Sequence, residues 1–522
     1  MSEPLAQPKP RRSGGRNARQ ALRAAPIAEE KRPVRSGMQG GQYRPLDDAG
    51  VKRIHQAALQ ILDEIGLADA PQSGIDAMTA AGARLGDDGR LRFSPALVED
   101  MLAKAGRNFI LHAQDSKHDL NPGGSRVHYG TAGAAVHVVD VEKREYRDST
   151  LADIYDAARI VETLDNVHFF QRPMVARDLE STLELDINTV YAAMAGTTKH
   201  IGASFISVQN VHQVLEMLHI ASGDEAAWRA RPFVSNSNCF VVPPMKFATE
   251  ACEVMEACIR GGMPVLLLSA GQAGATAPAA IAGTLAQAVA ECLAGVVYVN
   301  SIAPGHPAIF GTWPFVSDLR TGAMSGGSGE QALITAACGQ MAQFYDLPGG
   351  SAAGMADAKL PDAQSGYEKG ISTVMAGLAG VNLVYESVGM HGSLMGFCLE
   401  SLIIDNDMIG QGLRCVRGIE VNEDTVSIET IREVCLEGPG HYLGHNQTMK
   451  LMETEYLYPT FGDRTTPKIW AELGRVDILD RAIEEKRKIL DNYFPDHLKA
   501  ETDVLLRSGF PIKLMPEAMK KG

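Results

Sequence analysis

The chain has 522 residues, 45% of them apolar and 21% charged, and a formal charge of -14. That is the make-up of a globular protein with ample core, long enough for one large domain with additions or for two to three ordinary ones. The negative balance excludes general nucleic-acid binding, which needs a basic face to track phosphates. The eight cysteines occur singly, with no C-x-x-C pair, which fits a reducing cytoplasm and excludes a disulfide framework. The apolar stretch MPVLLLSA at 263–270 is too short to span a bilayer, and no secretory signal follows Arg11-Arg12, so a cytoplasmic protein with no membrane segment is expected.

Residues 1–44 are rich in Arg, Gly and Pro and lack apolar periodicity, which predicts a flexible basic arm. Residues 45–125 form a helical N-terminal region. It opens with LDDAGVKRIHQAALQILDEIG, where Val51, Ile54, Ala58, Ile61, Leu62 and Ile65 fall at helical spacing behind an Asp-rich start, and a second helix follows near 95–105. Strand-like runs then recur at 126–133, 166–173, 200–208, 232–241, 263–271, 306–313, 348–357 and 380–387, and most intervals between them carry a helical pattern. In one such interval Ser328 and Gln331 have the spacing of a capping box.

Strands alternating with helices imply a parallel sheet crossed over by helices. Eight units over residues 126–404 predict an α/β fold of the (β/α)8 TIM-barrel type. An open doubly wound sheet is the alternative, but GTAGAA is a poor match to its glycine-rich phosphate turn. Residues 135–148 read as a hairpin inserted after the first strand. Residues 405–522 read as a helical extension, with GRVDILDRAIEEKRKILDNYF amphipathic.

In a barrel the chemistry sits where strands run into their following loops. The residues there are Tyr129, Arg172, Phe205, Asn236, Asn238, Trp313, Asp357, Glu386 and His391. Each has a structural alternative, such as a rim ion pair for Arg172 and Asp357 or packing for Tyr129. No H-E-x-x-H, G-x-S-x-G or P-loop motif occurs, and no metal site is expected. His441 and His445 have i, i+4 spacing but no third ligand nearby, and capping or packing accounts for them. The loops SAGQAGATAPAAIAG, RTGAMSGGSG and GGSAAGMADA are built of small residues. They are either tight turns or the wall of a wide mouth that backbone can present to a large flat ligand.

GMADAKLPDAQSGYEK (354–369), YESVGMHGSLMGF (385–397) and the segment EVCLEGPGHYLGHNQTMKLMETEYLYP together resemble the trimethylamine methyltransferase family from about residue 45 onward. The resemblance implies a (β/α)8 enzyme that binds no cofactor directly. A separate corrinoid protein brings cobalt(I) cobalamin to the barrel mouth and takes a methyl group from a small amine. Archaeal trimethylamine members carry pyrrolysine, whereas this chain shows only the standard twenty residues.

A quaternary ammonium already has a neutral amine as its leaving group, so positioning and desolvation suffice to present its methyl. The resemblance, together with the missing pyrrolysine, therefore implies a quaternary-amine substrate of the glycine betaine kind. Such a cation is held by aromatic faces and negative charge, for which Tyr129, Phe205, Trp313 and Phe397, with Glu386 and Asp357, are the candidates. The substrate carboxylate would take His391, Arg172 or loop amides, with His391 favoured. A non-catalytic betaine-binding or sensory module and a trimethylamine-specific enzyme stand as alternatives. A homo-oligomer is expected.

Overall fold

The computed structural model describes residues 29–438 and 440–520. The first 28 residues of the expected arm lie outside the described residues. The chain divides into two compact units, residues 29–35 with 420–457 and residues 36–419 with 458–520. The expected extension over 405–522 is therefore split between them.

The larger unit contains all eight expected strands, β1 (Arg126–Tyr129), β2 (Phe169–Gln171), β3 (His200–Ala203), β4 (Val234–Asn236), β5 (Val265–Ser269), β6 (Ala308–Thr312), β7 (Gly350–Ala352) and β8 (Leu383–Tyr385). Each is followed by a helix: α1 (Leu151–Glu162), α2 (Thr182–Gly196), α3 (Val208–Ser222), α4 (Thr249–Arg260), α5 (Ile281–Ile302), α6 (Gly329–Phe344), α7 (Ala363–Ala379) and α8 (Leu399–Arg417). One sheet runs β6-β5-β4-β3-β2, all parallel, with Val265 opposite Ala308 and Phe169 opposite His200. The other runs β7-β8-β1, also parallel. β5, VLLLS, is buried at every position, as a parallel strand covered on both faces requires. The edges of the two sheets meet at two parallel bridges, Gly130 with Phe169 and Phe310 with Gly349. The Phe310 amide donates to the Pro348 carbonyl at 2.8 Å. The result is a curled parallel sheet with helices outside it.

The hairpin expected at 135–148 is present as strands His137–Asp140 and Glu145–Asp148. Three details depart from the sequence reading. Met38–Gln39, inside the expected arm, forms a short strand antiparallel to β1. Ser328 caps α6 by accepting from the Gln331 amide, but the Gln331 side chain does not reach back. It donates to the Pro314 carbonyl and accepts from the Val316 amide, so the capping box is half made. The third is α5, an apolar run longer than MPVLLLSA: its 22 residues include a window of mean hydropathy 1.5, but 83% of that window is buried inside the protein. The helices Asp48–Glu64, Gln72–Ala80 and Pro95–Lys104 pack across it.

In the smaller unit His445 caps the helix Asn446–Leu451 by accepting from the Gln447 amide. His441 lies in the bend before it, so the two histidines share no helix face. Among the described residues no group of three potential metal ligands occurs.

Inside the curled sheet the space is filled by aromatic rings. Tyr385 packs edge-on against Phe169 with centroids 5.0 Å apart and lies 4.9 Å from Trp313. Glycines on neighbouring strands make room for these rings. A Cβ on Gly130 would sit 2.4 Å from the Phe169 ring, and one on Gly350 would sit 2.7 Å from Tyr385. Gly130→Ala is therefore expected to lower stability by about 1–3 kcal/mol through overpacking. Denaturant titration should show a lower midpoint at unchanged slope, and a midpoint like that of the parent would contradict this packing.

Candidate active site at the strand ends

The carboxyl ends of β2, β4, β6 and β8 deliver Arg172, Cys239, Trp313 and Glu386 to one end of the sheet. Strand pairing fixes their heights. The Arg172 amide donates to the Gly202 carbonyl of β3 at 2.9 Å, the Trp313 amide to the Ser269 carbonyl of β5 at 2.9 Å, and Cys239 bridges Leu268.

Three of these four side chains present polar groups with nothing to bind. Arg172 Nε, Trp313 Nε1 and Glu386 Oε2 are each buried without a hydrogen-bond partner among the described residues. A buried polar atom without a partner costs about 1–3 kcal/mol, so three at one end of a sheet mark a place prepared for something else. Glu386 is 2% exposed and sits at φ +60°, a left-handed conformation costly for a side-chain-bearing residue.

Burial alone pushes the Glu386 carboxyl up to about 8. Burial likewise lowers the Arg172 guanidinium, and only Asp186 and Cys239 act on it electrostatically. Neither Arg172 nor Glu386 is among the groups that shift the other. The Cys239 thiol responds to both. Burial first, then Glu386, pushes it up to about 11, against an opposing pull from Arg172. It reaches solvent while surrounded by protein, as a group on the wall of a deep mouth does. The strand ends thus hold a guanidinium and a carboxyl, each with a buried unpartnered atom, and both act on the Cys239 thiol.

The family model for trimethylamine methyltransferase (MTTB) matches residues 12–511. The chain belongs to the trimethylamine methyltransferase family. It is 29% identical over 464 residues to the trimethylamine methyltransferase MttB of Desulfitobacterium hafniense strain DSM 10664 / DCB-2, covering 89% of this chain and 92% of that one. It is also 29% identical over 470 residues to the glycine betaine methyltransferase of D. hafniense strain Y51, covering 90% and 96%. The Methanosarcina barkeri MttB is 31% identical over 448 residues, covering 85% and 90%. Among solved structures, the monomethylamine methyltransferase of M. barkeri superposes with a TM-score of 0.45 at 12% identity, over 87% of this chain and 95% of that one.

In this methyltransferase the predicted site residues divide. Arg172, Trp313 and Glu386 reach the mouth. Phe205 follows β3 and is buried, its backbone held at both N–H and C=O by the side chain of Asn238, whose own amide bonds the Asn236 side chain. The other four are turned elsewhere. Tyr129 points outward, its hydroxyl donating to the Thr373 carbonyl of α7 at 3.0 Å. Phe397 is buried with its ring across Gly389. Asp357 has both carboxylate oxygens occupied, by the hydroxyls of Ser325 and Ser393 at 2.7 Å each, and so ties together the loops after β6 and β8.

His391, the favoured carboxylate ligand, is fully buried with Nε2 2.7 Å from Ser401 Oγ of α8. Burial and the nearby Lys369 hold it well below its ordinary value, so it is a neutral imidazole. Its neighbour Met390 is the one directed at the mouth loop of Gly133.

Sequence reasoning passed over Cys239 and Tyr385. Both have the same signal as the residues it found, a position at or just beyond a strand end.

Proposed function

We propose that this family member is a closed (β/α)8 barrel enzyme that moves a methyl group from a zwitterionic quaternary amine of the betaine type to the corrinoid of a separate protein. Closure is supported by the bridges Gly130–Phe169 and Phe310–Gly349, which join the two parallel sheets edge to edge. The observation that carries the substrate class is the presence of both a guanidinium and a carboxyl with buried unpartnered atoms at these strand ends. A betaine lying between them would set its carboxylate on Arg172 and its ammonium toward Glu386 and the Trp313 face. Trimethylamine would leave the buried Arg172 Nε without a hydrogen-bond partner.

A corrinoid carried by the partner supplies a cobalt(I) nucleophile. The chain's own residues hold the ammonium with one methyl facing the mouth, exclude water and receive a neutral tertiary amine, with no proton moved. The rim suits a flat apolar caller: Ile206, Val242, Leu319 and Met395, on the loops after β3, β4, β6 and β8, are exposed. Between them lie exposed small residues such as Gly274, Ala275 and Gly322.

The test is a panel of glycine betaine, proline betaine, carnitine, choline and trimethylamine offered with cobalt(I) cobalamin, following the demethylated amine. Turnover confined to carboxylate-bearing amines is expected. Turnover of trimethylamine with none of the betaines would overturn the proposal.

A further inference from the structure

We infer that the buried Lys369–Asp405 pair is a positioning device for Glu386, gripping the turn that carries this acid into the mouth. The inference rests on the reading of Glu386 as the group that faces the substrate cation. Lys369 on α7 and Asp405 on α8 are 1% and 5% exposed and meet at 2.6 Å. A buried ion pair is a weak source of stability, because desolvation cancels most of the attraction and well-packed apolar residues serve the helix interface as well.

What apolar residues could not do is what Asp405 also does. The same Oδ2 that takes the lysine accepts the amide of Gly389 at 2.8 Å. One turn earlier on the same face of α8, Ser401 takes His391 Nε2 at 2.7 Å. The turn after β8 is thus held at two points by one helix. The titratable groups around this grip are Lys369, His391 and Cys398.

At its other end the turn is fixed by Ser387, whose amide donates to the Gly130 carbonyl at 3.1 Å and whose hydroxyl donates to the Val384 carbonyl at 2.7 Å. Glu386 lies between the end of β8 and the Ser387 fixing, three residues before Gly389, at φ +60° with an unpartnered carboxylate oxygen. A left-handed, desolvated acid persists only where its surroundings over-determine it. Releasing Gly389 lets residue 386 relax to ordinary backbone angles and turn its carboxyl toward water. In this account His391 serves the turn and not the substrate.

The variants are Asp405→Asn, which keeps the shape and removes the charge that holds Lys369, and Lys369→Gln, with Lys369→Arg as the conservative control. Two measurements are made on the full chain, with melting curves to confirm folding. The first is the titration of Glu386 without ligand, followed as the infrared carboxyl band that Glu386→Gln abolishes. The second is calorimetric binding of tetramethylammonium, a cation with no carboxylate.

If the pair positions Glu386, both Asp405→Asn and Lys369→Gln move the titration down toward the ordinary carboxyl range and weaken tetramethylammonium at least tenfold, while Lys369→Arg retains both. A lower melting temperature with the parental titration in either folded variant overturns the inference. If the parent binds no quaternary ammonium, the functional proposal fails, and the infrared titration still decides the positioning role.

Discussion

Arg172→Met is expected to raise the KM for a betaine by about 30- to 1,000-fold, the equivalent of losing about 2–4 kcal/mol of charge-assisted hydrogen bonding to a carboxylate. Binding of tetramethylammonium or choline should change little, because neither carries the group that Arg172 would hold. The same substitution should leave melting temperature unchanged or raise it. A buried guanidinium with an unpartnered Nε, drawn to Asp186 without an ion pair to it, contributes little to folding that methionine, of similar length, would not. Loss of betaine affinity without loss of stability is the signature of a residue kept for a ligand. Parallel losses for betaine and tetramethylammonium would instead mark Arg172 as part of the rim scaffold.

Glu386→Gln should separate stability from function in a pH-dependent way. The folded-state carboxyl titrates at about 8 against an ordinary 4.5. Between those values the unfolded chain has lost its proton while the folded chain retains it, so stability falls as pH rises from about 4.5 to about 8. Below that window the acid imposes no penalty, and above it the penalty is complete. Glutamine should therefore gain nothing near pH 4 and most near pH 9, with an upper bound on the order of 5 kcal/mol.

Ligand binding should run the other way. A quaternary ammonium stabilises the ionised acid, so its affinity in the parent rises with pH up to about 8 and a proton is released on binding below it. In Glu386→Gln both effects vanish. As the methyl leaves, the nitrogen loses its positive charge, so the carboxylate favours bound substrate over transition state, and the variant should lose more in KM than in kcat. Melting curves at pH 4 and 9, with calorimetry in buffers of different ionisation enthalpy, check these outcomes. A stability gain equal at both pH values would refute the burial argument.

The eight strands were legible because each is an apolar or β-rich run bracketed by Gly, Pro or a helix cap, and the same punctuation gave the register of the helices. Strand ends were legible too, which is why Arg172, Trp313 and Glu386 were expected just beyond β2, β6 and β8, where they lie. Side-chain direction was not. Tyr129 and Gly130 are adjacent, yet the first faces α7 and the second faces the Phe169 ring, a choice of parity that strand pairing makes.

Beyond β8 the difficulty deepens. Counting by twos from Tyr385, which faces inward, would bring His391 inward as well. The left-handed residue at 386 breaks that alternation, so Met390 faces the mouth and His391 faces α8. A positive φ at a glutamate has no signal in composition or periodicity. Asp357 shows the complementary limit, since the serines that occupy its oxygens lie 32 and 36 residues away in sequence.

An enzyme that presents an electrophilic methyl group runs the hazard of alkylating itself, and Cys239 stands at the mouth where that hazard is greatest. Its surroundings hold the thiol at about 11, so at pH 7 only on the order of one molecule in ten thousand carries the thiolate that could intercept the methyl. Burial, the largest cause of that shift, keeps the wall of the reaction chamber inert toward its own substrate near neutral pH, where the Glu386 carboxyl still holds its proton.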